Sequence, residues 1–132
     1  MSQENVEVAT QALEAFNQRN RRALRALFQS TAEITPVRAA LDGTVFRGPE
    51  AASEYCTAME QTWTDLRWEV EEVRHGQDWV LALGRICGSG RDSGATIDVR
   101  GGWLARFRDG LISEFQTFSD RIDALKAVGL EE

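Results

Sequence analysis

The chain has 132 residues, 42% of them hydrophobic and 27% charged, with four Trp and six Phe; this is enough for one globular domain with an apolar core and excludes a disordered chain. Its net charge is -6 with no block of Lys or Arg, so the basic footprint that a phosphate backbone demands is missing, and neither nucleic acid nor an anionic membrane is an expected partner. Cys56 and Cys87 lack CxxC or metal-ligand spacing and read as reduced, buried apolar side chains. With no apolar leader and no run of membrane-spanning length, the expectation is a cytoplasmic protein holding no metal or cofactor.

Val6, Ala9, Leu13 and Phe16 fall at helical spacing and predict a helix from Glu4 to Asn17, with Glu4 in the first turn, where the helix dipole favours an acid. After QRN, the residues Ala23, Leu24, Leu27 and Phe28 repeat the pattern over a second, short helix. In AEITPV the β-branched residues and Pro36 predict a short edge strand or extended segment. Gly43 and Gly48 mark a loop, and Pro49, which has no amide proton to leave unpaired, is placed as the first residue of a third helix ending near Trp63. The stripe of that helix is Ala52, Tyr55, Cys56, Met59 and Trp63, at spacings that put it against a core.

The period then changes from helix to strand. Leu66, Trp68 and Val70 alternate, but the next apolar residue is Val73, so the phase slips by one around Glu71 and Glu72 and predicts a β-bulge. Past a turn at HGQD, the run WVLALGRIC is nearly all apolar, as in a strand covered on both faces. GSGRDSG makes a hairpin connection; it does not open a helix, so it fails as a phosphate loop. Ile97, Val99, Trp103, Ala105 and Phe107 then alternate, with the odd-numbered face inward. A three-residue loop Arg108-Asp109-Gly110, closed by Gly110 in the left-handed region, pairs Phe107 with Leu111, Ala105 with Ser113, Trp103 with Phe115 and Gly101 with Thr117. That register turns Phe115 and Thr117 inward and Glu114 and Gln116 outward. Ser119 is read as the cap of a last helix carrying Ile122, Leu125 and Val128.

Three helices followed by long curved strands indicate an α+β domain over residues 1–132, with a bent, mixed or antiparallel sheet wrapped round a helical layer. The segments EAFNQRNRRALRALF, FRGPEAASEY, FRDGLI and FSDRIDAL resemble the SnoaL-like group of the nuclear transport factor 2-like superfamily. The resemblance covers nearly the whole chain and implies a cone-shaped sheet closed on one side by helices, around a pocket for small, mostly apolar molecules. Its members include steroid isomerases, epoxide hydrolases, polyketide cyclases and proteins without catalysis, so fold alone decides little.

Residue by residue, the resemblance places the isomerase tyrosine donor near Ala12, its aspartate base at Thr35 and its second donor at Trp103. The cyclase His and Asp fall at Trp103 and Thr117. Of the epoxide hydrolase Asp, Arg and Asp, only the arginine is matched, by Arg85, while Cys87 and Thr117 occupy the acid positions. None of these replacements is a general base near neutral pH. The last strand is therefore expected to supply wall rather than machinery.

Arg85 stands in an apolar strand and must be paired or solvated: it is a polar anchor for a ligand, a partner of an acid such as Glu33 or Asp98, or a side chain pointing outward at the sheet edge. His75 reads as a solvated turn residue, and Glu69, Glu71 and Glu72 as an exposed charged face. Trp63, Trp79 and Trp103 are aromatic candidates for holding a ligand. The resulting expectation is a small-molecule-binding domain whose apolar pocket is formed by Phe16, Met59, Trp63, Arg85, Trp103, Phe115 and Thr117. The alternatives are an isomerase, hydrolase or cyclase with an unassigned base such as Glu33, and a purely structural dimer-forming module. A homodimer is expected because Leu104, Ile112 and Phe118 are read as an uncovered outer face.

Overall fold

The computed structural model describes residues 2–37 and 42–131. In chain order it contains α1 (Ser2–Gln18), α2 (Arg21–Leu27), β1 (Phe28–Thr35), β2 (Phe46–Arg47), α3 (Ala51–Thr62), β3 (Arg67–His75), β4 (Trp79–Ser89), β5 (Thr96–Arg108), β6 (Leu111–Phe118) and α4 (Arg121–Lys126). The strands form one sheet in the order β2-β1-β6-β5-β4-β3. β1 runs parallel to β6 and every other pair is antiparallel. The fold is thus α+β, with a curved, open, mixed sheet, helices α1 to α3 on its inner side and α4 on its outer side. Among the described residues no helix is long and apolar enough to cross a membrane.

Ala9, Ala12, Leu13 and Phe16 of α1 are all buried against the sheet, as their spacing requires. Arg19, in the left-handed region at φ 56°, ends that helix, and Asn20 caps the next by accepting from the Ala23 amide at 3.1 Å. Phe28 opens β1 rather than closing α2, because an extended backbone there lets its ring meet Phe16 and Phe115, each at 6.1 Å. β1 is not an edge strand either: Glu33 and Ile34 pair with Arg47 and Phe46 of the short β2. Gly48 and Pro49 form a turn closed by the Ala51 amide on the Gly48 carbonyl at 3.1 Å, so α3 begins two residues later than the proline suggests.

The bulge expected in β3 is present, with Val70 opposite Gly84, Glu72 opposite Leu83 and Glu71 as the extra residue. The β5–β6 turn differs from its expected form. Asp109 and Gly110 both have positive φ, 54° and 81°, which makes a two-residue loop of the primed type, with Arg108 opposite Leu111. A second bulge then leaves Ser113 unpaired between Phe107↔Ile112 and Arg106↔Glu114, its hydroxyl donating to the Arg106 carbonyl at 3.2 Å. Each change moves the register by one residue. Together they restore parity, so Trp103, Phe115 and Thr117 face inward, but Thr117 rather than Phe115 is the direct partner of Trp103.

Gly84 and Gly101 face each other across β4 and β5. A Cβ on Gly84 would lie 1.9 Å from the Glu69 carbonyl oxygen, and one on Gly101 would lie 2.1 Å from that of Phe118. The flanking strands therefore fold over positions that only glycine leaves free, and this produces the curvature.

Inside the curve, Phe16 is the hub, with ring centroids 5.0 Å from Trp68, 5.1 Å from Phe115 and 5.5 Å from Tyr55. Outside it, Leu81, Leu83 and Leu104 form a second cluster with Ala124 and Leu125 of α4, and Phe118 packs at its margin. That helix is capped by Asp120, which accepts from the Ile122 amide at 2.8 Å, and not by Ser119. The expected uncovered apolar face is consequently absent: Ile112, displaced by the Ser113 bulge, lies in the inner core, and Leu104 is only 3% exposed beneath α4. The ground offered for a dimer falls with it.

Candidate ligand-binding cavity

At the end of the inner face not filled by the Phe16 cluster, a cavity of about 270 Å³ lies between α3 and the sheet. The helix supplies Tyr55, Ala58, Met59 and Thr62, one face by their spacing of three and four, and Trp63 follows directly. The strands supply Trp68, Ile86, Ile97, Val99 and Thr117 from their inward positions, and Leu66, Phe46, Pro36, Val37 and Ser119 complete the wall.

Backbone geometry fixes these groups. Asn17 satisfies the free edge of β3 by donating to the Trp68 carbonyl at 2.9 Å and accepting from its amide at 2.8 Å, which holds the indole over Phe16. Arg91 donates to the carbonyls of Glu60 at 2.7 Å and Trp63 at 3.2 Å. It thereby satisfies the orphan end of α3 and locks Trp63 where the helix turns into β3.

Electrostatically the cavity is quiet. None of the described lining residues is an Asp, Glu, His, Lys or Arg. The polar groups of its described lining side chains are the indole N–H of Trp63 and of Trp68 and four hydroxyls, foremost the buried pair Tyr55 and Thr117, whose oxygens are 3.2 Å apart. Burial pushes the Tyr55 phenol up to about 12, the hydrogen bond to Thr117 offsetting only part of that, so the group stays neutral and protonated. Neighbouring Cys56 also has its thiol raised by burial; both cysteines are free and buried.

Of the seven residues expected at the pocket, Met59, Trp63 and Thr117 line the cavity. Phe16 and Phe115 instead fill the core beside it. Trp103 lies under Trp68 at 5.3 Å between centroids, behind the wall, and its indole N–H has no hydrogen-bond partner among the described residues. Arg85 is on the opposite face. Alternation along β4 sends Ile86 inward and Arg85 outward, where it makes a two-pronged ion pair with Asp98 through Nε–Oδ1 at 2.9 Å and through Nη2–Oδ2, the pairing with an acid that its position allowed. Trp79 likewise packs on the outer cluster. Glu33 pairs with Arg47 at 3.3 Å and is not among the lining residues.

Sequence reasoning overlooked Tyr55 and Trp68. The signals were present: Tyr55 lies one turn before Met59 on the same stripe, and Trp68 lies between Leu66 and Val70 in an alternating run.

The model of the SnoaL-like domain matches residues 9–115. The chain belongs to this family. No curated protein matches the sequence. Among solved structures, a candidate SnoaL-like polyketide cyclase from Jannaschia sp. CCS1 superposes with a TM-score of 0.78 at 21% identity, over 96% of this chain and 90% of that one. A hypothetical protein of ketosteroid isomerase-like fold from Catenulispora acidiphila DSM 44928, in complex with trimethylamine, gives 0.75 at 19% identity over 94% and 93%. TerC co-crystallised with polyporic acid gives 0.76 at 16% identity over 89% and 92%. Identities this low establish a shared fold and leave the residues of the cavity to speak for the chemistry.

Proposed function

We propose that this SnoaL-like domain binds a small, largely apolar and uncharged molecule in the cavity under α3, without acid–base catalysis of its own. The observation that carries the reading is the lining: indole, phenyl and aliphatic walls with a few hydroxyls and, among the described residues, no ionisable group able to take a proton near neutral pH. A charged ligand would lose its hydration there without gaining a counter-charge, whereas an apolar one gains about 25 cal/mol for each Å² removed from water. A pocket mostly preformed by a rigid helix and sheet, with few polar points, is the usual form of a small-molecule site. Two proteins of the same fold were crystallised with small organic molecules, trimethylamine and polyporic acid, which supports a small-molecule site; the preference for an uncharged occupant rests on this chain's own lining.

The test is a titration with 2-acetylnaphthalene and its hydrocarbon counterpart 2-isopropenylnaphthalene, followed by quenching of Trp fluorescence and by the thermal midpoint. At ligand concentrations ten times Kd, binding to the native state alone stabilises it by about 1.4 kcal/mol. Ala58→Trp, which fills the cavity from α3, should abolish both signals while the variant remains folded. Absence of binding by either compound up to its solubility limit, or undiminished binding by Ala58→Trp, would overturn the proposal.

A further inference from the structure

We infer that the Tyr55–Thr117 hydroxyl pair is the specificity-determining element of the cavity, and that it selects apolar ring compounds bearing one uncharged, hydrogen-bond-accepting oxygen, of the ketone or quinone carbonyl type. The inference rests on the binding role proposed above and follows from counting protons. Two hydroxyls carry two protons, and the single contact between them at 3.2 Å uses one. Both residues are buried, at 4% and 5% exposure, and both border the cavity, so the second proton is presented to the cavity in apolar surroundings, where a hydrogen bond is strengthened and an unmade one is costly.

The phenol is the stronger acid, so the favoured arrangement has Tyr55 donating to Thr117 and Thr117 donating onward. The first hydrogen bond polarises the second hydroxyl and makes it a better donor. A neutral carbonyl oxygen satisfies this donor with no proton transfer. A carboxylate or phenolate would meet the same donor but no cation among the described lining residues, and would forfeit its hydration. The hydroxyls of Thr62 and Ser119 also border the cavity, but both residues are exposed and so lack the desolvation that makes a polar contact discriminating.

The measurement is the ratio of Kd values for 2-isopropenylnaphthalene and 2-acetylnaphthalene, which differ in a methylene against a carbonyl oxygen. The expected preference of wild type for the ketone is about tenfold, since net hydrogen-bond contributions are near that size. In Tyr55→Phe the Thr117 hydroxyl persists, and in Thr117→Val the freed phenol takes over donation, so each single variant keeps part of the preference. Tyr55→Phe/Thr117→Val should bind the two compounds equally, and Thr117→Ser, which keeps the hydroxyl, should retain the preference. Circular dichroism and the thermal midpoint identify any variant that fails to fold. Equal binding of both compounds to wild type, or a preference that survives in the folded double variant, would overturn the inference while leaving the apolar cavity as a binding site; binding of neither compound would overturn both.

Discussion

Alternate residues of β4 and β5 go to opposite sides of the sheet: Ala82, Ile86, Val99 and Trp103 toward the helices, and Leu81, Leu83, Arg85, Asp98 and Arg100 away from them. On the outer side the apolar half is covered by Ala124 and Leu125 of α4, and the uncovered half carries ion pairs, Arg67–Glu69, Arg85–Asp98 and Arg100–Glu71. On the inner side the rings of Phe16, Phe28 and Phe115 pack together between α1 and the sheet, and the cavity lined by Tyr55, Met59 and Trp63 lies beneath α3. The ion pairs and the cavity are therefore back to back across one thickness of sheet. Strand alternation keeps the charged groups of β4 and β5 out of the hollow, so the absence of an acid or base among its described lining residues is, on these strands, a consequence of register.

The comparison can be broken most severely at the bend. Gly84→Val would drive a side chain into the Glu69 carbonyl, backbone that cannot swing aside as a side chain could. The expected loss is about 3 kcal/mol or more of unfolding free energy, read from urea denaturation. A variant of near wild-type stability would mean that the strands do not need to fold over this point.

Next in size is a contrast between the two faces. Leu125→Ala removes a side chain that is 1% exposed in the outer cluster and should cost about 3 kcal/mol. Met59→Ala should cost roughly 1 kcal/mol less, because its side chain already borders a hollow and loses fewer neighbours. Equal losses would argue that the region under α3 is packed as tightly as that under α4.

Tyr55 gives a smaller effect with a definite sign. It is the chain's one tyrosine, so absorbance of the ionised phenol reports it alone. Its pKa is raised in the folded state to about 12 from an ordinary 10.0. A raised pKa means that folding favours the protonated form: the contribution is complete below pH 10 and is lost as pH rises toward the folded value. The loss is about 2 to 3 kcal/mol over that interval, visible as a steeper fall of the urea midpoint in wild type than in Tyr55→Phe, where the Cys56 and Cys87 thiols, also raised by burial, still contribute. Phenol absorbance rising near pH 10 in the folded protein would show that Tyr55 meets solvent and is not part of a dry wall.

What the residues disclosed in advance follows the same division. The Glu71 bulge was legible because one skipped apolar residue in β3 leaves a phase error, and the inward aspect of Trp103 because alternation runs through to Phe107; that of Thr117 was inferred from a three-residue loop and holds because the two-residue turn and the Ser113 bulge offset each other. Local turn chemistry was less so. Asp109-Gly110 serves a two-residue or a three-residue loop, and only the Ser113 bulge, which has no signature of its own, decides where Ile112 points. The location of the hollow was least legible: Phe16, Phe115 and Trp103 have the right orientation, but which inward positions are covered by other rings and which are left bare depends on where α1 and α3 cross the sheet.

Arg85 provides the finest discrimination between the faces. It adjoins Ile86, a wall residue, so one residue of slippage in β4 would carry the guanidinium into the cavity and make it an anchor. Asp98 holds it on the other side, and the same contact lowers the Asp98 carboxyl below the usual range. Both groups are solvent-exposed, so screening leaves the pair a minor contributor to stability. Arg85→Ala should accordingly shift the thermal midpoint no more than an ordinary surface substitution and leave the Kd of 2-acetylnaphthalene unchanged. If affinity for the ketone instead fell tenfold with stability intact, the guanidinium would have to reach the ligand, and the assignment of charge to one face and binding to the other would fail at its closest point.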